Sequence, residues 1–145
     1  MKNRIDYHQA SPEAIKALIA LELAVQRSGL DLRMLQLVKM RASQINGCAF
    51  CVDMESAEAM RAGESFRRLA AVAQWRDSAL FSGPERATLA WTEALTELGA
   101  PAARDSAMSA MSRHFDARQI GDWTLAVAAI NCWNRMGVGF RKAIL

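Results

Sequence analysis

Two cysteines three positions apart, Cys48 and Cys51, stand in the stretch QINGCAFCVDM (residues 44–54), directly before a helical pattern. Thiols at that spacing on the first turn of a helix can close a disulfide. The unpaired backbone N–H groups there also favour a thiolate over a thiol. A CxxC pair serves redox chemistry, half of a zinc site or haem attachment. Zinc needs four ligands, yet the chain has no second CxxC, and its two histidines, His8 and His114, are not at ligand spacing. Haem attachment needs histidine directly after the second cysteine, where Val52 stands. Thiol–disulfide redox is the reading that survives.

A reducing compartment sharpens it. Residues 1–6 (MKNRID) show no apolar leader core, and no segment reaches the length of uncharged apolar residues that a membrane span requires. The expectation is a cytoplasmic protein away from the membrane, where a cysteine pair is more often catalytic than structural. The net charge is +3, but the 18 basic and 15 acidic residues are interspersed, which argues against a nucleic-acid partner.

The elements that must position the thiols read as helices. Hydrophobic residues make up 52% of the 145, and no alternating Val/Ile/Thr-rich runs occur. Ser11 and Pro12 open a helix with Ile15, Leu18, Ile19 and Val25 on one face, a face apolar but for Glu22; Gly29 stops it. Asp31 caps a second helix carrying Leu32, Leu35, Val38 and Ala42, which ends at Asn46-Gly47. The CxxC starts the third, running to about Gly63. Further helices are expected over about 64–75, from Pro84 to Gly99, over about 102–114, and from Asp116 onward. In the last, Ile120, Trp123, Val127, Ile130 and Asn134 share a face, and the rest is so apolar that it is expected at the centre of the domain or in a subunit interface. One all-α domain of about six to seven helices, spanning 1–145, is the expectation. Cys132, on that last helix, reads as a small buried hydrophobe.

Residues 38–54 (VKMRASQINGCAFCVDM), 86–95 (RATLAWTEAL) and 133–135 (WNR) resemble the alkylhydroperoxidase D-like branch of the carboxymuconolactone decarboxylase family, over nearly the whole chain. The resemblance implies an all-helical fold assembled as trimers or hexamers, with peroxidase-type activity at the CxxC and no bound cofactor. Carried over, Cys51 attacks the peroxide and passes through a sulfenic acid; Cys48 resolves it as a disulfide. An external dithiol, lipoyl or thioredoxin-like, restores both. The family's proton relay places a glutamate twelve residues before the first cysteine and a histidine four after the second, where this chain has Gln36 and Glu55; Phe50 replaces a further histidine between the cysteines.

Those departures alter the chemistry. Cys51 and Glu55 are i and i+4 neighbours on one helix, so Glu55 can take the thiol proton directly or through a water, with Gln36 expected to orient it by a hydrogen bond. An ionised Glu55 also opposes a thiolate at Cys51, so a slower thiol is expected, faster at alkaline pH and in Glu55→His. Two alternatives stay open: a non-catalytic redox sensor or scaffold, and a lactone decarboxylase like the family's other branch, which uses no CxxC.

Overall fold

The computed structural model describes residues 4–144. Eight α-helices and one 3-10 helix make up its regular structure, with no strand among the described residues. The α-helices are α1 (Tyr7–Ala10), α2 (Pro12–Gln26), α3 (Leu32–Ile45), α4 (Ala49–Arg61), α5 (Phe66–Ala71), α6 (Gly83–Thr96), α7 (Pro101–Ser112) and α8 (Ala117–Gly139). The 3-10 helix is Val72–Asp77.

The starts follow local chemistry. Asp31, Ser65, Ser82 and Asp116 each accept a backbone N–H with the side chain, and Ser82 with Glu85 and Asp116 with Gln119 close full capping boxes. Ser11 makes no such bond; there Pro12 at the first helical position sets the start of α2. The helix expected over 64–75 is two pieces, because Gln74 leaves helical geometry and the chain tightens into the 3-10 turn. The short α1 raises the number of α-helices to eight, beyond the six to seven expected. It rests on Asp6, whose carboxylate takes the His8 N–H, and on Tyr7, buried at the far end of the chain against Phe140.

Helix α3 is the central element. Its Leu35 and Val38 join one buried cluster with Val25, Trp123 and Val127, while its Leu37 and Met40 join another with Leu69, Val72 and Leu89. Each fully buried leucine or valine of this kind contributes about 2 kcal/mol by leaving water. Helix α8, expected at the centre of the domain or in a subunit interface, packs against α3. In α8 the face of Ile120, Trp123, Val127, Ile130 and Asn134 is buried, but Leu125 and Val138 are exposed and so is Cys132, which corrects its expected burial. The apolar residues of α8 exceed what one domain covers.

Among the described residues no helix is long and apolar enough to cross a membrane.

Candidate active site

The cysteines sit where α3 gives way to α4. Gly47 adopts a φ of 65°, a left-handed conformation that side chains disfavour, and this reverses the chain so that Cys48 becomes the N-cap of α4. The turn is tied down on both sides. The Cys48 N–H donates to the Ser43 carbonyl at 3.0 Å, and Asn46 Nδ2 donates to Oδ1 of Asn134 (2.9 Å) and of Asn131 (3.0 Å). Asn134 Nδ2 in turn donates to Ser43 Oγ at 2.9 Å. Ser43 and Asn134 are completely buried, so the network fixes the thiol-bearing turn to α8. The Asn46-Gly47 pair thus shapes the turn, as its composition suggests.

Cys48 and Cys51 are joined in a disulfide across a Cα separation of 5.2 Å, and each is only 2% exposed. The Cys51 N–H donates to Cys48 Sγ at 3.3 Å, so the sulfur itself caps the helix. Gly137 of α8 lies directly over the pair: a Cβ there would come within 2.7 Å of Cys48 Sγ and 3.3 Å of Cys51 Sγ. Only glycine permits α8 to approach so closely without displacing the sulfurs.

One turn beyond Cys51, Glu55 is completely buried. Its partner is not Gln36. Lys39 Nζ stands 3.0 Å from Glu55 Oε2 and 3.1 Å from Glu22 Oε1, with Glu58 at 3.9 Å. Gln36 lies nearly one turn before Lys39 on α3, and its Oε1 is buried with no hydrogen-bond partner. The expected Gln36–Glu55 bond is absent among the described contacts because Lys39, a longer side chain carrying a full charge, occupies that role. Glu22, the polar break in the apolar face of α2, is explained by the same lysine.

Lys39 cannot neutralise two carboxylates. With Glu22, Lys39 and Glu55 all ionised the buried group carries a net negative charge, which a low-dielectric interior resists. The most buried carboxyl responds: desolvation pushes Glu55 from 4.5 up to about 7, against the pull of Lys39, with Glu58 and Glu22 adding to the rise. Burial works against the Lys39 cation, but Glu55 and Glu22 outweigh it and hold its pKa above the ordinary 10.5.

Cys51, Glu55, Lys39 and Glu22 line one cavity of about 310 Å³, walled by apolar side chains that include Leu23, Phe50 and Trp133. Composition and spacing pointed to neither Lys39 nor Trp133 as a site residue; the unusual lysine among the buried residues of α3 was the available signal. Cys48 lines a second cavity, of about 490 Å³, formed with Gly137, Val138, Arg141 and Lys142 at the C-terminal end.

A buried disulfide at a helix start, beside a buried carboxyl that holds its proton near neutrality, defines an all-helical dithiol protein. The sequence profile of the Carboxymuconolactone decarboxylase family matches residues 12–94, and the chain belongs to that family, in its alkylhydroperoxidase D-like branch. It is 31% identical to the uncharacterized protein YdfG of Bacillus subtilis (strain 168) over 138 residues, covering 95% of this chain and 94% of that one. With the uncharacterized protein YnjA of Escherichia coli (strain K12) it shares 36% identity over 106 residues, covering 73% of this chain and 58% of the relative. The crystal structure of ATU0492 from Agrobacterium tumefaciens, a protein of unknown function put forward as an antioxidant defence protein AhpD, superposes with a TM-score of 0.95. That pair is 46% identical, and the match covers 99% of each chain.

Proposed function

We propose that this protein is a thiol peroxidase that reduces a peroxide through the Cys48–Cys51 dithiol. The observation that carries the reading is the shared cavity: the sulfur of a cysteine at a helix N-terminus opens on the same space as a buried carboxyl with a pKa of about 7. A proton acceptor poised near the working pH is what a thiol needs to react as a thiolate.

In the reduced protein Cys51 passes its proton to Glu55, and the thiolate attacks one peroxide oxygen. The O–O bond breaks, the alkoxide leaves as an alcohol by taking the proton back, and Cys51 is left as a sulfenic acid. Cys48 attacks the Cys51 sulfur, water departs with the thiol proton, and the disulfide forms. An external dithiol, lipoyl or thioredoxin-like, returns two electrons and two protons. No bound cofactor takes part. We assign Glu55 as the base; Gln36 stands outside the relay, and Lys39 takes its positioning role. The setting is a reducing compartment such as the cytoplasm, and the assembly a homo-oligomer, trimer or hexamer, for which the exposed Leu125 of α8 supplies apolar surface.

Single-turnover mixing of the reduced protein with hydrogen peroxide or an alkyl hydroperoxide tests this. Peroxide should be consumed one to one with disulfide formation, Cys51→Ser should abolish consumption, and Cys48→Ser should stop at a sulfenic acid trapped by dimedone. Unimpaired consumption by Cys51→Ser would sink the proposal. A disulfide that forms but is never turned over by a dithiol would favour the sensor instead, and lactone turnover by a double Cys→Ser variant the decarboxylase.

A further inference from the structure

The two cysteines of the disulfide line different cavities. Cys51 lines the cavity with Glu55, while Cys48 lines the second one, at the C-terminal end of α8; neither cysteine lines both. Both are 2% exposed, so the cavities are the approaches to them. Disulfide exchange constrains the approach further: the incoming thiolate must come in line with the S–S bond, on the side of the attacked sulfur away from its partner.

We propose that the second cavity is the reductant's binding site: a slender aliphatic dithiol enters there and attacks Cys48, while peroxide uses the Cys51 side. The proposal rests on the peroxidase reading and adds where its reducing half-reaction takes place.

Three features fit this site to that ligand. Gly137 is one of its walls, and without a Cβ it leaves Cys48 Sγ in place at the cavity, where a methyl would sit 2.7 Å from the sulfur and displace it. Arg141 lines this cavity and not the first, while Lys142 and Phe50 border both, with Lys142 Nζ 5.3 Å from the centre of the Phe50 ring. Among the described residues no carboxylate pairs with Arg141, and its charge at this cavity favours the thiolate form of the incoming thiol. Finally, a sulfur this buried excludes a dithiol fixed flush on a globular surface and admits one on a narrow chain.

The exchange balances. The dithiol's first thiolate bonds to Cys48 Sγ, the Cys48–Cys51 bond breaks, and Cys51 leaves as a thiolate at the N-terminus of α4 beside Glu55, which can protonate it. The dithiol's second thiol then attacks its own first sulfur, closes a cyclic disulfide and releases Cys48 reduced. Two electrons and two protons pass from the dithiol to the pair.

The test separates the half-reactions in the full-length protein, with dithiothreitol as the reductant and an alkyl hydroperoxide as the oxidant. Val138→Trp, at the mouth of the second cavity, should lower the ratio of reduction rate to oxidation rate at least tenfold. Leu23→Trp, at the mouth of the first, should raise it. Labelling by a small aromatic disulfide gives a readout that needs no turnover: Val138→Trp should slow labelling of Cys48 in the Cys51→Ser background more than that of Cys51 in Cys48→Ser. A reduced thioredoxin as the reductant distinguishes the source; it should gain nothing from an open second cavity. Equal effects of Val138→Trp on both half-reactions and both labels, or none, would overturn the inference. Failure of the reduced wild type to consume peroxide would overturn the peroxidase reading instead, and leave the labelling contrast standing.

Discussion

Glu55→Gln should make the oxidised protein more stable at pH 8, relative to pH 4.5, than the wild type is. In the folded protein the Glu55 carboxyl is pushed from 4.5 up to about 7, by burial first. The folded state therefore binds a proton more tightly than the unfolded chain, so this group's stabilisation is complete below about pH 4.5 and is lost as pH rises through 7. At about 1.4 kcal/mol per pH unit, that loss comes to about 3 kcal/mol across the window. Glutamine keeps the shape and never ionises, and Lys39 retains Glu22 at 3.1 Å, so the variant should show no such loss. Using the disulfide form removes titration of the Cys48 and Cys51 thiols, and the free Cys132 is common to both proteins. Urea unfolding at half-unit steps from pH 4.5 to 8 supplies the measurement, with equal m-values as the condition for comparing midpoints. The difference in stability should grow toward alkaline pH by about 3 kcal/mol. A flat difference would show that Glu55 ionises normally and that the Lys39 cluster does not hold a proton.

Gly121 and Gly137 lie on the same helix, but a Cβ at Gly121 meets nothing within 4 Å. Thermal unfolding should find Gly121→Ala stabilising by up to about 1 kcal/mol and Gly137→Ala destabilising, because overpacking at about 1–3 kcal/mol exceeds the same helical gain. Asn134→Ala removes the acceptor for Asn46 and the donor to Ser43, so urea unfolding should show a loss of about 2–4 kcal/mol from buried groups left unpaired. Glu55→His alone should speed Cys51 alkylation near neutrality by less than twofold, because Lys39 disfavours an imidazolium beside it; adding Lys39→Met should release the larger increase. Stopped-flow alkylation of the reduced variants checks both.

Much of the fold was legible because its signals are local. Asp31, Ser82 and Asp116 announce their helices by side-chain caps, and Gly47 marks the reversal before Cys48. What local signals miss is what depends on distant partners. Helix α1 is four residues long and has no pattern of its own; Tyr7 is buried against Phe140, at the other end of the chain. The site divides in the same way. Cys48, Cys51 and Glu55 share one helix start, so their relation follows from spacing. Lys39 and Glu22 come from two other helices, and only packing brings both onto Glu55. Gln36 was read by its offset from Cys48, which locates it along α3 but not where its side chain goes. Cys132 and Trp133 show the limit on α8: in a helix apolar nearly all round, sequence does not say which flank is covered. Cys132 proves exposed, while Trp133 reaches the cavity of Cys51.

The sulfur that caps α4 has a cost that α3, α5, α6 and α8 avoid. Where α3, α5, α6 and α8 begin on the oxygen of Asp or Ser, α4 begins on Cys48 Sγ, a weaker acceptor, at 3.3 Å. An oxygen there would hold the first turn more firmly and could not exchange electrons. The deficit is offset from outside the helix, by the Cys48 N–H on Ser43 and by the asparagine pair that binds the turn to α8. The rigidity of the redox couple is thus borrowed from its neighbours, and α8, nearly ninety residues further along the chain, is as much a part of the helix start as Cys48 itself.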